Sequence, residues 1–142
     1  MTSQVEASPP DDDGLRAILE EVRTVAVVGL SSNPTRHSYN VADYLKEVGY
    51  RIIPVNPNET EVLGERAYPT LLDVPEPIDL VDVFRRAEHT PGVARDAVKV
   101  GAKVLWLQLG IVNEEARRIA EEGGLWVIMD ACLMIEHDRL RP

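Results

Sequence analysis

The chain has 142 residues, a formal net charge of −9 and a single cysteine. This length suits one domain with a full hydrophobic core. The negative charge argues against nucleic acid or an anionic membrane surface as a main partner, because both carry the same sign of charge. No stretch is long and apolar enough to predict a membrane helix. One cysteine excludes an internal disulfide and is typical of a reducing compartment, so we expect a cytoplasmic protein.

Helix and strand signals alternate after a polar start. Residues 1–13 are polar and contain proline, so we expect a flexible N-terminal tail ahead of one domain at 14–142. Apolar residues at helical spacing predict a first helix over 15–22. The apolar run that begins at Val25 predicts a buried strand over 25–30.

The same alternation continues to the end of the chain. Further strands are predicted at 50–55, 78–84, 103–109 and 125–129, and helices at 41–48, 93–101, 114–122 and 132–139. The segment 57–77 holds proline, glycine and charge and is predicted to be mostly loop. This order predicts an α/β fold, a doubly wound parallel sheet of about five strands with helices on both faces.

The segment 24–33, TVAVVGLSSN, is the most informative part of the chain. Gly29 removes the side chain where the chain must turn or a ligand must approach closely. Ser31, Ser32 and Asn33 supply hydroxyl and amide groups where the next helix should begin. Free N–H groups and the helix dipole at a helix start favour an anion such as phosphate. The sequence therefore predicts a phosphorylated ligand, a nucleotide, with an ordinary serine-capped turn as the alternative.

This loop lacks most of the fingerprint of nicotinamide dinucleotide binding. The fingerprint contains G-x-G-x-x-G and an acid at the end of the second strand. Here only the first glycine is present. No acid stands at the tip of the second strand, which runs through Val55, Asn56 and Pro57; Glu59 and Glu61 come later, in a predicted loop. These differences weaken an NAD interpretation without excluding it.

The ends of the other strands add further candidate residues. Ligands of doubly wound sheets bind outside the carboxyl ends of the strands. This rule selects Arg36 in the first loop, Phe84 and Arg85 at the end of the third predicted strand, and Gln108 and Gly110 around the end of the fourth. Both arginines are cations at an edge where an anion would bind, although either alone could be an ordinary surface residue.

A longer pattern closely resembles the small bacterial CoA-binding proteins. It consists of VAVVGLSSNPTRHSYNVADYLKEVGYRIIPVNP followed by VDVFRR, WLQLGI and DACLMIEH. That family looks like a free-standing version of the CoA-binding domain of the succinyl-CoA synthetase alpha subunit. The resemblance covers the chain after its tail and implies a Rossmann-like domain that binds coenzyme A through its ADP portion. Carried onto this chain, it implies ligand contacts at Gly29, Ser31, Ser32, Arg36, Val55, Asn56, Pro57, Phe84 and Arg85, with the pantetheine side at 106–110.

The chemistry of coenzyme A agrees with this resemblance. Its pyrophosphate suits backbone N–H groups at a helix start. An acid at the ribose would repel the 3′-phosphate, which fits the lack of one directly after Val55. The planar fork of an arginine can hold two phosphate oxygens at once.

Signals for catalysis are weak. His37, His89 and His137 are scattered, and no spacing pairs them with a nucleophile or makes a metal-ligand set. Cys132 follows the last strand in an apolar neighbourhood, so we interpret it as a packing residue, with a thiol near the ligand sulfur as the alternative.

We therefore expect non-catalytic binding of coenzyme A or an acyl-CoA by a single domain. Two other classes of function stay open. One is a small nicotinamide-dependent or acyl-transfer enzyme that acts with a partner chain, and the other is a nucleotide-sensing regulatory module. A homo-oligomer and a partner enzyme are both compatible with the sequence.

Overall fold

The computed structural model describes residues 10–142, so most of the predicted tail lies outside the described residues. Helix α1 spans Asp12–Glu21, and the side chain of Asp11 caps it by accepting a hydrogen bond of 2.8 Å from the N–H of Gly14. The first two helical residues are acidic and belong to the segment that the sequence predicts as tail. Their charges favour this position because the dipole makes a helix start positive.

Residues 10–142 form seven strands. Their bounds are β1 (Thr24–Val28), β2 (Arg51–Val55), β3 (Glu61–Val62), β4 (Glu65–Arg66), β5 (Leu80–Val83), β6 (Val104–Leu107) and β7 (Trp126–Ile128). Strands β3 and β4 pair with each other in an antiparallel hairpin. The other five form one parallel sheet in the order β2-β1-β5-β6-β7. This arrangement confirms the predicted single-domain, Rossmann-like α/β fold.

Helices cover both faces of the sheet. After α1, their bounds are α2 (His37–Glu47), α3 (Thr90–Lys99), α4 (Glu114–Glu122) and α5 (Leu133–Leu140), with 3₁₀ turns at Leu71–Asp73 and Ala87–His89. Apolar side chains of α1, α2 and α5 join one buried cluster. Those of α3 and α4 join a second cluster on the opposite face. The two clusters are the two cores that a doubly wound sheet requires.

Several bounds differ from the sequence-based expectation, and two differences change how a segment is assigned. The predicted strand at 103–109 ends at Leu107, so that Gln108 and Gly110 follow the strand. The segment predicted to be loop contains the β3–β4 hairpin, whose turn residues Leu63 and Gly64 have φ of +55° and +78°. Two-residue strands and a leucine in the left-handed region leave no recognisable sequence pattern.

A carboxyl group is buried in the middle of the sheet. Asp82 of β5 is inaccessible to solvent, and one of its oxygens accepts a hydrogen bond from Nε2 of Gln108. Neither Oδ2 of Asp82 nor Oε1 of Gln108 has a hydrogen-bond partner among the described residues. Burial raises the pKa of Asp82 to about 7, against the opposing effect of the Gln108 hydrogen bond. A protonated Asp82 supplies the donor that these two oxygens lack.

We predict that Asp82→Asn flattens the pH dependence of stability. Folding raises the pKa of this carboxyl from its ordinary value of 3.8 to about 7. The folded state therefore binds more protons than the unfolded state between these values, and stability falls as the pH rises through that window. Asparagine keeps an acceptor for Gln108 and offers a donor to it, yet cannot ionise. Urea unfolding at a series of pH values measures the change in slope.

Asp79→Asn is the matched control for this prediction. Although burial acts in the opposite direction, hydrogen bonds from the N–H groups of Thr24 and Arg23 and the charge of Lys103 hold the pKa of Asp79 below its ordinary value. Its stabilising contribution is present above the unfolded pKa and is lost as the pH falls. The Asp79→Asn variant should therefore be less stable than the parent mainly at pH values above the unfolded-state pKa of Asp79. An Asp82→Asn slope equal to that of the parent would contradict the prediction.

Candidate functional site

Gly29 lies where the ends of three neighbouring strands meet. Its φ is +88°, and its N–H donates a hydrogen bond of 2.8 Å to the carbonyl of Val55 at the end of β2. A Cβ atom at this position would overlap the carbonyl oxygen of Phe84, directly after β5. Glycine is required here because two backbones approach closely and the conformation is left-handed.

The first loop, residues 29–36, is held by its own polar groups. The N–H of Ser31 donates to Oγ of Ser38 at 3.2 Å, and the N–H of Asn33 donates to Oγ of Ser31 at 3.0 Å. Oδ1 of Asn33 accepts from the N–H of Thr35 at 3.0 Å and from its hydroxyl at 2.8 Å. The side chains that the sequence predicts for ligand contact thus also fix the loop conformation before any ligand binds.

The start of α2 is open to an anion. The helix begins at His37, which is before the predicted bounds of 41–48 but after the serine and asparagine residues expected at its start, and Arg36 is its N-cap without a side-chain capping bond. The first N–H groups of a helix have no partner inside the helix. They face the same edge of the sheet as the first loop, where a cavity of about 480 Å³ lies. Among the residues that line it are Gly29, Ser31, Arg36, His37, Asn56 and Phe84.

The loop after β2 folds back onto the first loop. Nδ2 of Asn56 donates a hydrogen bond of 3.0 Å to the carbonyl of Leu30. One carboxylate oxygen of Glu59 accepts from the N–H of Ser32 at 3.0 Å and from its hydroxyl at 3.1 Å. The sequence predicts no acid at the end of this strand, whereas the structure brings Glu59 from the following loop to the first loop. The signal was the Asn-Pro-Asn turn at 56–58, which reverses the chain directly after the strand.

A second cavity, of about 340 Å³, lies on the other face of the sheet at the same edge. Its walls combine apolar side chains with cations. They include Val28, Val55, Pro57, Leu71, Arg85 and His89. The polar cavity beside α2 and this more apolar cavity beside α3 are therefore separated by the ends of β1 and β5. Such a pair of cavities suits a ligand with a charged part and an aromatic or apolar part.

The structure brings together eight of the twelve predicted site residues. These line one or the other cavity: Gly29, Ser31, Arg36, Val55, Asn56, Pro57, Phe84 and Arg85. Ser32 and Asn33 lie in the first loop without lining either cavity. Gln108 is buried against Asp82, and the N–H of Gly110 donates to the side chain of Asp130 at 2.7 Å. The structure does not bring these last two predicted residues to either cavity.

A cysteine and a histidine meet beside the polar cavity. Cys132 is only 3% exposed, as the packing interpretation expects, but its Sγ lies 3.6 Å from Nε2 of His37. Sequence spacing pairs no histidine with a nucleophile, whereas the fold brings His37 to this thiol. The two residues stand at the starts of α5 and α2 and are 95 positions apart, so local spacing carries no trace of the contact.

Over residues 10–142, no group of three or more His, Cys, Asp or Glu side chains could hold a metal ion. In the same part of the chain, no helix combines the length and the apolar character that crossing a bilayer requires.

The fold is that of a Rossmann-like domain, with two cavities at the carboxyl edge of its sheet. Sequence comparison gives the family of this domain. The chain belongs to the CoA-binding domain family, whose profile matches residues 23–138.

Relatives of the chain are of two kinds. The uncharacterized protein YneT of Bacillus subtilis is 44% identical over 128 residues, which are 90% of this chain and 95% of that protein. The structure of a hypothetical protein from Pyrococcus horikoshii OT3 superposes with a TM-score of 0.91 at 40% identity, covering 96% of this chain and 98% of that one. ADP-forming acetate–CoA ligase II of Archaeoglobus fulgidus is 31% identical over 101 residues, 70% of this chain but only 15% of the ligase. The chain thus matches whole small proteins and one part of much longer ligases.

We predict that Gly29→Ala destabilises the fold more than Gly110→Ala. Both glycines have positive φ, +88° and +86°, so alanine in either place should cost about 1 to 2 kcal/mol for the left-handed backbone. Only at Gly29 would the new Cβ overlap a backbone atom, since nothing lies within 4 Å of it at Gly110. The overlap should add about 1 to 3 kcal/mol, measured as the free energy of unfolding in urea. Equal losses in the two variants would show that strand packing at Gly29 relaxes freely.

Proposed function

We propose that this chain binds coenzyme A or an acyl-CoA through its ADP moiety and does not catalyse a reaction alone. Family membership supports the ligand class. The observation that carries the proposal is the pair of cavities on either side of the β1 end, one polar and one more apolar. Coenzyme A has a matching division between its phosphates and its adenine ring.

The polar cavity suits the pyrophosphate. It lies at the uncapped start of α2, where backbone N–H groups and the helix dipole favour an anion. Arg36 lines the same cavity and offers a planar guanidinium that can bind two oxygens. The preformed loop reduces the entropy lost when the ligand is held.

The apolar cavity suits the adenosine. Val28, Val55 and Leu71 provide walls against which a base can stack, and Arg85 with His89 can hold the ribose 3′-phosphate. Neither Arg36 nor Arg85 forms an ion pair with another residue of the described chain. Free cations beside the cavities of a chain with net charge −9 support an anionic ligand.

Acyl transfer is the second candidate function, and the contact between Cys132 and His37 is the observation that favours it. An imidazole within reach of a thiol can accept its proton and so activate the sulfur. Against this candidate, the thiol is buried, so a thioester cannot reach it without movement of the covering side chains. We therefore favour binding without catalysis.

We predict that coenzyme A binds more tightly than NAD or NADP. The first loop has only one glycine of the dinucleotide fingerprint, which disfavours both NAD and NADP. Arg85 on the adenosine side offers a cation to a ribose phosphate, which NAD lacks, so this contact favours coenzyme A over NAD. Calorimetric titration of the full chain with coenzyme A, acetyl-CoA, NAD and NADP tests this order. Tight NAD binding with no response to coenzyme A would overturn the proposal. An acetyl adduct on Cys132 in the intact mass after the acetyl-CoA titration would instead favour acyl transfer.

We predict that Arg36→Ala and Arg85→Ala each weaken coenzyme A binding about ten-fold to a hundred-fold. This range corresponds to the roughly 1.5–3 kcal/mol of a charge-assisted hydrogen bond. The same calorimetry measures it, and Arg118→Ala on the exposed surface of α4 removes an equal charge away from the site.

A second ligand separates the two roles. Dephospho-CoA lacks the 3′-phosphate, so the Arg85→Ala loss should shrink with this ligand while the Arg36→Ala loss persists. Binding by both variants that equals that of the parent would show that neither arginine contacts a phosphate.

A further inference from the structure

Glu59 occupies hydrogen-bond donors of the first loop. Its Oε2 accepts from both the N–H and the hydroxyl of Ser32, at 3.0 and 3.1 Å. The same residue lines the polar cavity together with Ser31 and Arg36. A carboxylate offers the negative charge and paired acceptor oxygens that a phosphate group also offers. Glu59 therefore holds a place in this cavity that suits an anionic part of a ligand.

The backbone after β2 brings Glu59 to this position. The N–H of Asn58 donates to Oδ1 of Asn56 at 2.9 Å, and the N–H of Glu59 donates to the carbonyl of Asn56 at 3.2 Å. Two side-chain contacts then join this turn to the first loop. One is neutral, from Asn56 to the carbonyl of Leu30, and the other is the charged contact of Glu59 with Ser32. Release of the charged contact would leave the neutral one to hold the loops together.

No cation neutralises Glu59. Over the described residues it takes part in no ion pair, and Arg36, which lines the same cavity, forms none with it. Its charge is therefore stabilised mainly by the two donors of Ser32 and by solvent. An anion that enters the cavity meets the like charge of Glu59, which lines it. Ser32 does not line the cavity but is bonded to Glu59, so the anion competes for the Ser32 donors where it displaces this carboxylate.

We propose that Glu59 is an internal competitor of the ligand's pyrophosphate, so that binding requires release of the contact between Glu59 and Ser32. The proposal rests on the proposed function and adds a specificity-determining residue to the same site. When Glu59 is released, the N–H and the hydroxyl of Ser32 become available as donors. A ligand without a pyrophosphate does not bind these donors, so its affinity does not increase. A ligand with one replaces the carboxylate on the first loop, and Glu59 then turns to solvent.

The test is the variant Glu59→Gln in the full chain. Glutamine keeps the length of the side chain and an acceptor oxygen but loses the charge, so it holds Ser32 less strongly and does not repel an anion. Affinity for both coenzyme A and dephospho-CoA should rise by about three-fold to ten-fold in low salt. The gain should shrink as salt is added, because ions screen the repulsion. Calorimetric titration measures both effects.

Glu61→Gln is the matched control. It makes the same change in net charge two residues away, at an exposed position of β3 that does not line the polar cavity. We expect its effect on affinity to stay below about two-fold, because exposed charges are strongly screened. An equal gain in both variants would assign the effect to net charge and overturn the proposal. So would a gain with coenzyme A alone, because Glu59 would then oppose the 3′-phosphate.

Inorganic pyrophosphate separates this proposal from the proposed function. The amide resonance of Ser32 in an NMR spectrum should move when Glu59→Gln weakens its hydrogen bond, and pyrophosphate should bind the variant more tightly than the parent. That result without any coenzyme A binding would overturn the proposed function and support the competition. Measurable coenzyme A binding that is equal in parent and variant would support the proposed function and overturn the competition by Glu59. If neither ligand moves the Ser32 resonance, the competition at Ser32 is wrong, and the calorimetric titration with coenzyme A alone decides the proposed function.

Discussion

The site depends on the close approach of three backbones at Gly29. The carbonyl of Val55 accepts the N–H of Gly29, and the carbonyl of Phe84 lies where any side chain at this position would have to stand. The ends of β2, β1 and β5 are thereby fixed side by side. Because each strand end leads into a different loop, one small residue sets the relative placement of all three loops. Both cavities open at these loops, which explains why a charged and an apolar cavity lie so near each other.

The electrostatics of this edge differ from those of the whole protein. The chain carries a net charge of −9, yet Arg36 and Arg85 face the two cavities without an ion-pair partner in the described part of the chain. Many of the other arginines are paired, for example Arg51 with Glu65 and Glu76. Surface ion pairs of that kind contribute little to stability. Arg36 at the start of α2 and Arg85 support the anionic ligand proposed above by their positions at the cavities, and Glu59 is the one acid that lines the polar cavity among the described residues.

The sequence predicts the layers of this fold better than it predicts the contacts of its site. Apolar runs and helical spacing repeat along the chain, so the five parallel strands and their covering helices follow from local patterns. The same runs give strand ends that are too long: Leu109 extends the apolar pattern past Gln108, whereas the strand ends at Leu107. Glu59 and His37 are missed for a different reason. Their partners, Ser32 and Cys132, lie 27 and 95 positions away, and only the packed loops bring them together.

A buried acid links two strands of the sheet near the carboxyl ends of their ladder. Asp82 and Gln108 join β5 to the end of β6 through side chains, at the level where the ladder ends. Two residues after Asp82, the N–H of Phe84 still donates to the carbonyl of Val28 at 2.8 Å. The hydrogen bond from Gln108 holds these strand ends together through buried side chains. Because burial raises the pKa of Asp82 to about 7, this carboxyl keeps its proton to a higher pH than an exposed aspartate does, and the charge buried within the sheet is reduced accordingly.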